Sequence, residues 1–380
     1  MNEEPTHFAL RPSADLVKRA SKVAKANSAR KGEPAFHMTE DVRRLSTPWS
    51  VAQVRAAQIE ATELPAGVIL DAAAGSGVQL VALTTGLKRP GLAIELDPNI
   101  GLLCAANMYS ADDDGDLQRS MDRVLVGDGT DAENAIVAYW NSLREAGTRA
   151  HPPIGMLHLD PARPRDAQKH EIDEMKPAIG PLMKAWSKHL EIGPRGPAVL
   201  LDLSPRLNEH QRALVDATIE ITFPGITRTW EYLSQGGGRI DRLSVWIGSL
   251  SSKSPSRCVR MGRKKIMATI EGKVAESEEV SMSKPPPFGA HLTIVDPALV
   301  QSGLQESWLE RALPEGAGHS WLRLDGRRPL LISTERLTKD EEIDAFVLAS
   351  GEIVQHRLTP PELHTIEQTA AAAARNGVGK

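Results

Sequence analysis

The chain has 380 residues, 41% of them hydrophobic, and its 49 acidic and 45 basic side chains leave a formal net charge of −4. That length supports one large domain and a smaller companion, while the near balance of charge excludes a general attraction to polyanions, so any nucleic-acid contact has to come from local basic patches. Its two cysteines, Cys104 and Cys258, form no CxxC or His/Cys ligand spacing, which argues against a disulfide framework or a bound metal.

The opening stretch MNEEPTHFALRPSADLVKRASK lacks the apolar centre of a secretory signal, and no run approaches the roughly 18 apolar residues of a membrane span. A cytoplasmic protein without a membrane partner is expected. Residues 13–31 read as a basic, Ala-rich helix capped by Ser13, with Leu16, Val17, Ala20, Val23 and Ala24 at helical spacing. It belongs to a helical N-terminal extension over 1–49. A second helix follows Thr47-Pro48, with Ser50 as its candidate cap, and Pro65-Ala66-Gly67 ends it.

From there strand-like and helix-like segments alternate. VILDAA, LAIELD, RVLVGD, GMLHLD and AVLLDLS are short Val/Ile/Leu-rich runs, each ending in or near an acid and separated by stretches with helical periodicity. This pattern predicts an α/β domain over 50–250, a Rossmann-like, doubly wound, mainly parallel sheet of seven strands. TRTWEYLS and RLSVWIG, flanking the glycine-rich QGGGRID, read as an antiparallel pair at its edge. Residues 251–289 read as a basic and Pro/Ser-rich linker carrying Lys253, Arg257, Arg260, Arg263, Lys264 and Lys265; a small α+β domain is expected over 290–358 and a tail over 359–380.

The candidate chemistry lies at the ends of the strand runs. Gly75-Ser76-Gly77 forms a strand-to-helix turn that lets a ligand approach the backbone, but Leu80 stands where a GxGxxG dinucleotide fingerprint needs its third small residue. Glu95 is placed to accept the hydroxyls of a ribose, and Asp128 a hydrogen bond from an adenine amino group. Asp71 would repel a pyrophosphate yet suits a ligand with a cationic amino-acid portion. The three acids in order suit S-adenosyl-L-methionine better than a dinucleotide. A tight turn with helix-capping acids is the alternative. Asp160-Pro161 ends the fourth run beside this crevice; Asp160 is placed to hold an amine or a nucleobase edge, and Arg163 a phosphate.

The order DAAAGSG, AIELDP, VGDGTD, LDPAR resembles the motif series of class I S-adenosylmethionine-dependent methyltransferases. The Asp-Pro-Ala-Arg form, followed by LLDLSPRL and TRTWEYLSQGG, is similar to a branch with a C-terminal THUMP-like domain, whose start AHLTIVDPALVQSGL resembles. The resemblance spans Ser50 to about His356. It implies that Gly75 and Gly77, in the loop that also carries Ala73, approach the methionine moiety, that Glu95 and Asp128 hold ribose and adenine, and that Asp160 lies at the methyl-transfer site. It further implies RNA as the partner. The aromatic residue that follows Asn/Asp-Pro-Pro in base-amine methyltransferases is replaced by Ala162-Arg163, so Trp230 or Tyr232 would have to stack on a base instead. Cys104 lies in the apolar IGLLCAANM and Cys258 far from the fourth motif, so direct transfer without a cysteine nucleophile is expected. His158 and His37 read as ordinary polar residues. A small-molecule or protein acceptor, a non-catalytic RNA-binding protein and, last, a dehydrogenase remain as alternatives.

Overall fold

The computed structural model describes residues 6–111, 120–162, 172–276, 278–280, 285–322 and 329–354. They form two compact units, Met1–Arg228 with Ser244–Ser252, and Thr229–Leu243 with Lys253–Lys380.

The N-terminal segment contains β1 (Phe8–Leu10), α1 (Ala14–Val23), β2 (Ala26–Asn27), β3 (Phe36–His37) and α2 (Glu40–Leu45). Then come α3 (Trp49–Glu60), β4 (Val68–Asp71), α4 (Val78–Leu87), β5 (Gly91–Glu95), α5 (Pro98–Ser110), β6 (Arg123–Val126) and α6 (Ala132–Glu145). The series continues with β7 (Ile154–Leu159), α7 (Ile179–Ser187), β8 (Ala198–Leu203), α8 (Glu209–Thr222), β9 (Arg228–Ser234) and β10 (Arg242–Gly248). In the first unit the sheet order is β1-β6-β5-β4-β7-β8-β10. Neighbours from β6 to β8 pair in parallel, and β1 is antiparallel to β6. The doubly wound α/β sheet expected from the alternating runs is therefore present. β4 to β6 are laid outward to one side, and β7 and β8 to the other, so the topology switches at β4 and β7. Right-handed crossovers then put α4 and α5 on one face and α6, α7 and α8 on the other.

The sequence explains why these elements form. β4, β6, β7 and β8 are buried along their whole length, as largely apolar runs demand of a sheet covered on both faces, with Asp71, Arg123, His158 and Asp202 the buried charged or polar residues among them. α5 begins where Asp97 accepts the amides of Asn99 and Ile100 and Pro98 occupies the first turn. α6 buries Ala132, Ala135, Ile136, Tyr139 and Leu143 along one stripe and exposes Glu133, Asn134, Val137, Arg144 and Glu145.

Three local expectations change. The helix expected over 13–31 stops at Val23, and Ala26–Asn27 pairs with Phe36–His37 as a small ribbon. Leu16, Ala20 and Phe36 enter the same hydrophobic core as Leu80, Leu103 and Cys104, so this segment is integral to the unit rather than an appendage. α3 starts at Trp49 after Pro48 with no side-chain cap, and Ser50 is buried inside the helix instead of capping it.

In the second unit β11 (Ser256–Met261) pairs in parallel with β9 and antiparallel with β12 (Ile266–Gly272). The stretch expected as a linker is thus a hairpin over much of its length. Cys258, Val259, Met261, Ala268 and Ile270 are buried, while the charged Arg263-Lys264-Lys265 sits at the exposed turn. β13 (Glu279–Val280), β14 (His291–Val295), α9 (Pro297–Gln301), α10 (Gln305–Ala312), β15 (His319–Leu322), β16 (Leu330–Ser333), α11 (Glu341–Asp344) and β17 (Val347–Glu352) complete the unit. Its five-stranded sheet has the order β13-β15-β16-β14-β17 and is antiparallel except where β13 meets β15. Asp296 caps α9 and its other carboxylate oxygen accepts from the Ser234 hydroxyl. The tail expected over 359–380 lies outside the described residues.

Candidate active site

The turn from β4 to α4 has the geometry its glycines permit. Gly75 (φ +53°) and Gly77 (φ +77°) adopt the left-handed region, and Gly77 opens the helix. The two glycines differ in what surrounds them. A Cβ on Gly77 would sit 2.6 Å from the Cys104 sulfur, so this position is small because α5 packs against it. A Cβ on Gly75 would meet nothing within 4 Å, which leaves its backbone open to a ligand. The turn is fastened from both sides: the Ala74 amide donates to the Ile94 carbonyl at 3.1 Å, and Asn107 Nδ2 donates to the Ser76 carbonyl at 2.9 Å.

Glu95 ends β5 and folds back onto the turn. One carboxylate oxygen accepts the Gly75 amide at 2.9 Å and the other the Asp97 amide at 3.0 Å. Burial pushes its pKa up, more strongly than these amides pull it down, and the negative charge of Asp71 adds to the rise. Asp128 follows β6 and is exposed; its Oδ1 accepts from both the amide and hydroxyl of Thr130 at 2.8 Å. The loop carrying it is set by His7, whose Nε2 lies 3.0 Å from the Asp128 carbonyl oxygen. Gly129 packs so closely on the Ala72 carbonyl that a Cβ would come within 2.1 Å of that oxygen, which brings this loop against the glycine turn.

Asp160 and Pro161 follow β7 directly. With Ala73, Leu159, Pro177, Ile179 and Leu182 they line one predominantly apolar cleft. Ala73 of the glycine turn and the Asp160-Pro161 end are therefore brought together at the topological switch point, where open α/β sheets bind ligands. Arg163, the other residue expected here, lies outside the described residues.

Asp71 departs from its expected setting. Its side chain is buried at 2% exposure, with Oδ1 accepting the Ala73 amide at 3.3 Å and Oδ2 facing His158 Nδ1 at 2.8 Å. On the far side His158 Nε2 lies 3.2 Å from Asp202 Oδ2, and Arg55 grips both oxygens of Asp202 at 2.5 and 2.6 Å. Burial, the largest single influence on His158, opposes its charged form, but Asp71 and Asp202 together outweigh it and hold the imidazole pKa up at about 10. Burial likewise works against the Asp202 carboxylate, and Arg55 and His158 overcome it to bring the pKa well below its ordinary value. The row is a buried, alternating set of two anions and two cations. Sequence reasoning missed Arg55 and misjudged His158 as an ordinary polar residue. The available signals were an arginine inside the apolar run VAQVRAAQI and a histidine two residues before Asp160 on a buried strand.

Both thiols are fully buried, and burial drives each pKa up. Among the described residues no group of three or more His, Cys, Asp or Glu side chains is arranged to hold a metal ion, and no helix is long and apolar enough to cross a membrane. The basic stretch divides in two. Arg257 pairs with buried Glu231 at 2.8 Å and Arg260 donates to the Ala345 carbonyl at 2.9 Å, while Lys253, Arg263, Lys264 and Lys265 are exposed.

No protein-family model and no curated protein matches the chain. Solved structures similar to it include precorrin-6y C5,15-methyltransferase from Geobacter metallireducens GS-15, at 11% identity and TM-score 0.34, covering 57% of this chain and 94% of that one. They also include an O-methyltransferase from Bacillus cereus in complex with SAH, at 16% identity and TM-score 0.31, covering 63% and 93%. Human methyltransferase-like protein 13, also in complex with SAH, matches at 18% identity and TM-score 0.31, covering 57% and 84%. Likenesses of this size carry no conclusion about activity, which rests on the site itself.

Proposed function

We propose that the chain is an S-adenosylmethionine-dependent methyltransferase that acts on RNA by direct methyl transfer, its second unit being a THUMP-like accessory domain. The observation that carries the reading is the Glu95 carboxylate clasping the Gly75 amide beside an open glycine face, in the same turn that supplies Ala73 to the Asp160-Pro161 cleft.

These residues fit the cofactor. Gly75 leaves room for the methionine end, Glu95 offers carboxylate oxygens to ribose hydroxyls, and exposed Asp128 offers its own to the adenine amine. Leu96, 72% exposed beside Glu95, presents an apolar surface for the purine ring. Asp71 would act indirectly, by holding the turn through its contact with the Ala73 amide. Bound there, S-adenosylmethionine supplies an electrophilic methyl group on a sulfonium centre. The chain's own task would then be to place an acceptor nitrogen or oxygen in line with that methyl group. Asp160 would orient the acceptor and take its proton, directly or through water, and Pro161 would fix the backbone that presents Asp160. Arg163, in this reading, neutralises a substrate phosphate. The burial of both thiols favours direct transfer over a route through a cysteine adduct.

The exposed Arg263-Lys264-Lys265 turn supports a polyanionic acceptor, as do exposed Lys18, Arg19, Lys22, Lys25, Arg30 and Lys31. The test is transfer of labelled methyl from S-adenosylmethionine into fractionated RNA and protein from cells lacking the gene, with Asp160→Ala as control. The reading expects label in an RNase-sensitive fraction, and a loss of about 10²–10⁴-fold in the variant with cofactor affinity retained. Label confined to protein or small molecules would replace RNA as the acceptor; full turnover by Asp160→Ala would remove its assigned role.

A further inference from the structure

Asp71, His158 and Asp202 lie on three adjacent parallel strands. β4 pairs with β7 in a register that sets Asp71 opposite His158, and β7 pairs with β8 so that His158 is opposite Leu200, two residues before Asp202. All three side chains therefore share one face near the carboxyl ends of the strands. The charged groups facing His158 are Asp71 from β4 and Asp202 from β8, with Arg55 from α3 behind Asp202. Ser244 accepts from Arg55 at 2.5 Å and donates to Asp202 Oδ1 at 2.6 Å, and Gln79 Oε1 of α4 lies 3.4 Å from Arg55.

The row reaches the glycine turn at one end and the strand that presents Asp160 at its middle. At one end Asp71 holds the Ala73 amide of the glycine turn; at the middle, His158 is two residues from Asp160 and its own carbonyl lies 3.4 Å from the Ala72 amide. Removing His158 would leave the Asp71 charge buried without its partner, and a carboxylate in that position turns toward any water or backbone donor it can reach. Its other oxygen already accepts the Ala73 amide of the turn, so a change at Asp71 is felt there directly.

We infer that His158 is a positioning residue which, by bridging Asp71 to the Arg55-anchored Asp202, locks the Ala72–Gly77 turn in its ligand-receiving form and ties that turn to the strand presenting Asp160. The role deepens the methyltransferase reading and rests on it for what the turn receives. The row does more than satisfy buried charge, because Asp71 and His158 lie on the two adjacent strands whose following residues, Ala73 and Asp160-Pro161, meet at the cleft. It also leaves the turn's inner side electrically neutral, so Asp71 is not offered to a ligand as a bare anion.

The experiment compares full-length wild type with His158→Gln, Asp202→Asn and the double variant Asp71→Asn/His158→Gln by amide hydrogen exchange, without any ligand. In His158→Gln the amides of residues 72–77 should exchange at least about tenfold faster, with α8 and the second unit's five-stranded sheet unchanged. The double variant restores a neutral hydrogen-bonding pair and should recover most of the protection. Asp202→Asn keeps the Asp71–His158 contact; it should show a smaller loosening of the same amides and a His158 ring NMR signal that titrates at lower pH than in wild type. Should His158→Gln fail to fold, Asp202→Asn decides alone. Wild-type protection of the turn in a folded His158→Gln or Asp202→Asn overturns the inference. Titration of S-adenosylhomocysteine into the same proteins judges the cofactor reading separately: absence of binding by wild type contradicts that reading, while the exchange data still decide whether His158 orders the turn.

Discussion

Glu95 Oε2 accepts the backbone amide of Gly75 at 2.9 Å, joining the end of one strand to the turn that follows its neighbour. The bond places a half-buried carboxylate beside the most open glycine of the site. Glu95→Gln keeps the size of the side chain but replaces one acceptor oxygen with a donor, which the Gly75 and Asp97 amides both oppose. Charge-assisted hydrogen bonds contribute about 1.5–3 kcal/mol, so affinity for S-adenosylhomocysteine should fall about 10- to 100-fold, read by calorimetry. The melting temperature should fall as well, because the same carboxylate holds two backbone amides of the folded protein.

The two glycines of the turn should separate binding from folding. Gly75→Ala forces a side chain into the left-handed region, at about 1–2 kcal/mol, and projects it into open space, so its main effect should be on cofactor affinity. Gly77→Ala drives a Cβ against Cys104 and should lower the melting temperature by more than Gly75→Ala does. Equal effects of the two substitutions on both readouts would contradict the assignment.

The raised pKa of His158 makes stability fall in alkali. The folded protein holds a proton on this ring at pH values where the unfolded chain, with an ordinary pKa of 6.5, has lost it, up to the folded value of about 10. Its contribution is complete below pH 6.5 and declines between 6.5 and 10, at up to about 1.4 kcal/mol per pH unit. Urea unfolding across that range should show the decline in wild type and a flatter profile in the double variant Asp71→Asn/His158→Gln, which lacks the imidazole at position 158.

The exposed turn between β11 and β12 should act on RNA binding through charge alone. Replacing Arg263, Lys264 and Lys265 together by serine should weaken binding to all single-stranded RNA sequences similarly and lower the dependence of log K on log salt by about 2. Arg257 and Arg260 lie in the same stretch but serve the interior. Their replacement should instead destabilise the second unit, and a melting curve distinguishes the two outcomes.

What the sequence made legible was the sheet and the ends of its strands. Runs such as VILD and GMLHLD announce buried parallel strands by composition, and the acid at each end marks the loop edge, so Glu95, Asp128 and Asp160 could be placed by position alone. Partnership was not legible. Arg55 meets Asp202 across 147 residues and His158 meets Asp71 across 87, contacts that only the strand order creates. The apolar alternation of 256–272 was masked by its basic residues, which read as a solvated linker until the hairpin turn collected three of them. The N-terminal segment misled in the opposite way, since a basic helix with two buried positions, Leu16 and Ala20, looks detachable when its packing surface on α5 is unknown.

The most direct measurement is a calorimetric titration of S-adenosylhomocysteine into the full-length protein and its Glu95→Gln variant, alongside NAD as a control nucleotide. Saturable binding of one equivalent to wild type, at least about tenfold weaker in the variant and absent for NAD, is the predicted result. No binding by wild type, or binding indifferent to Glu95, would contradict the assignment of the β4–α4 turn as the cofactor site.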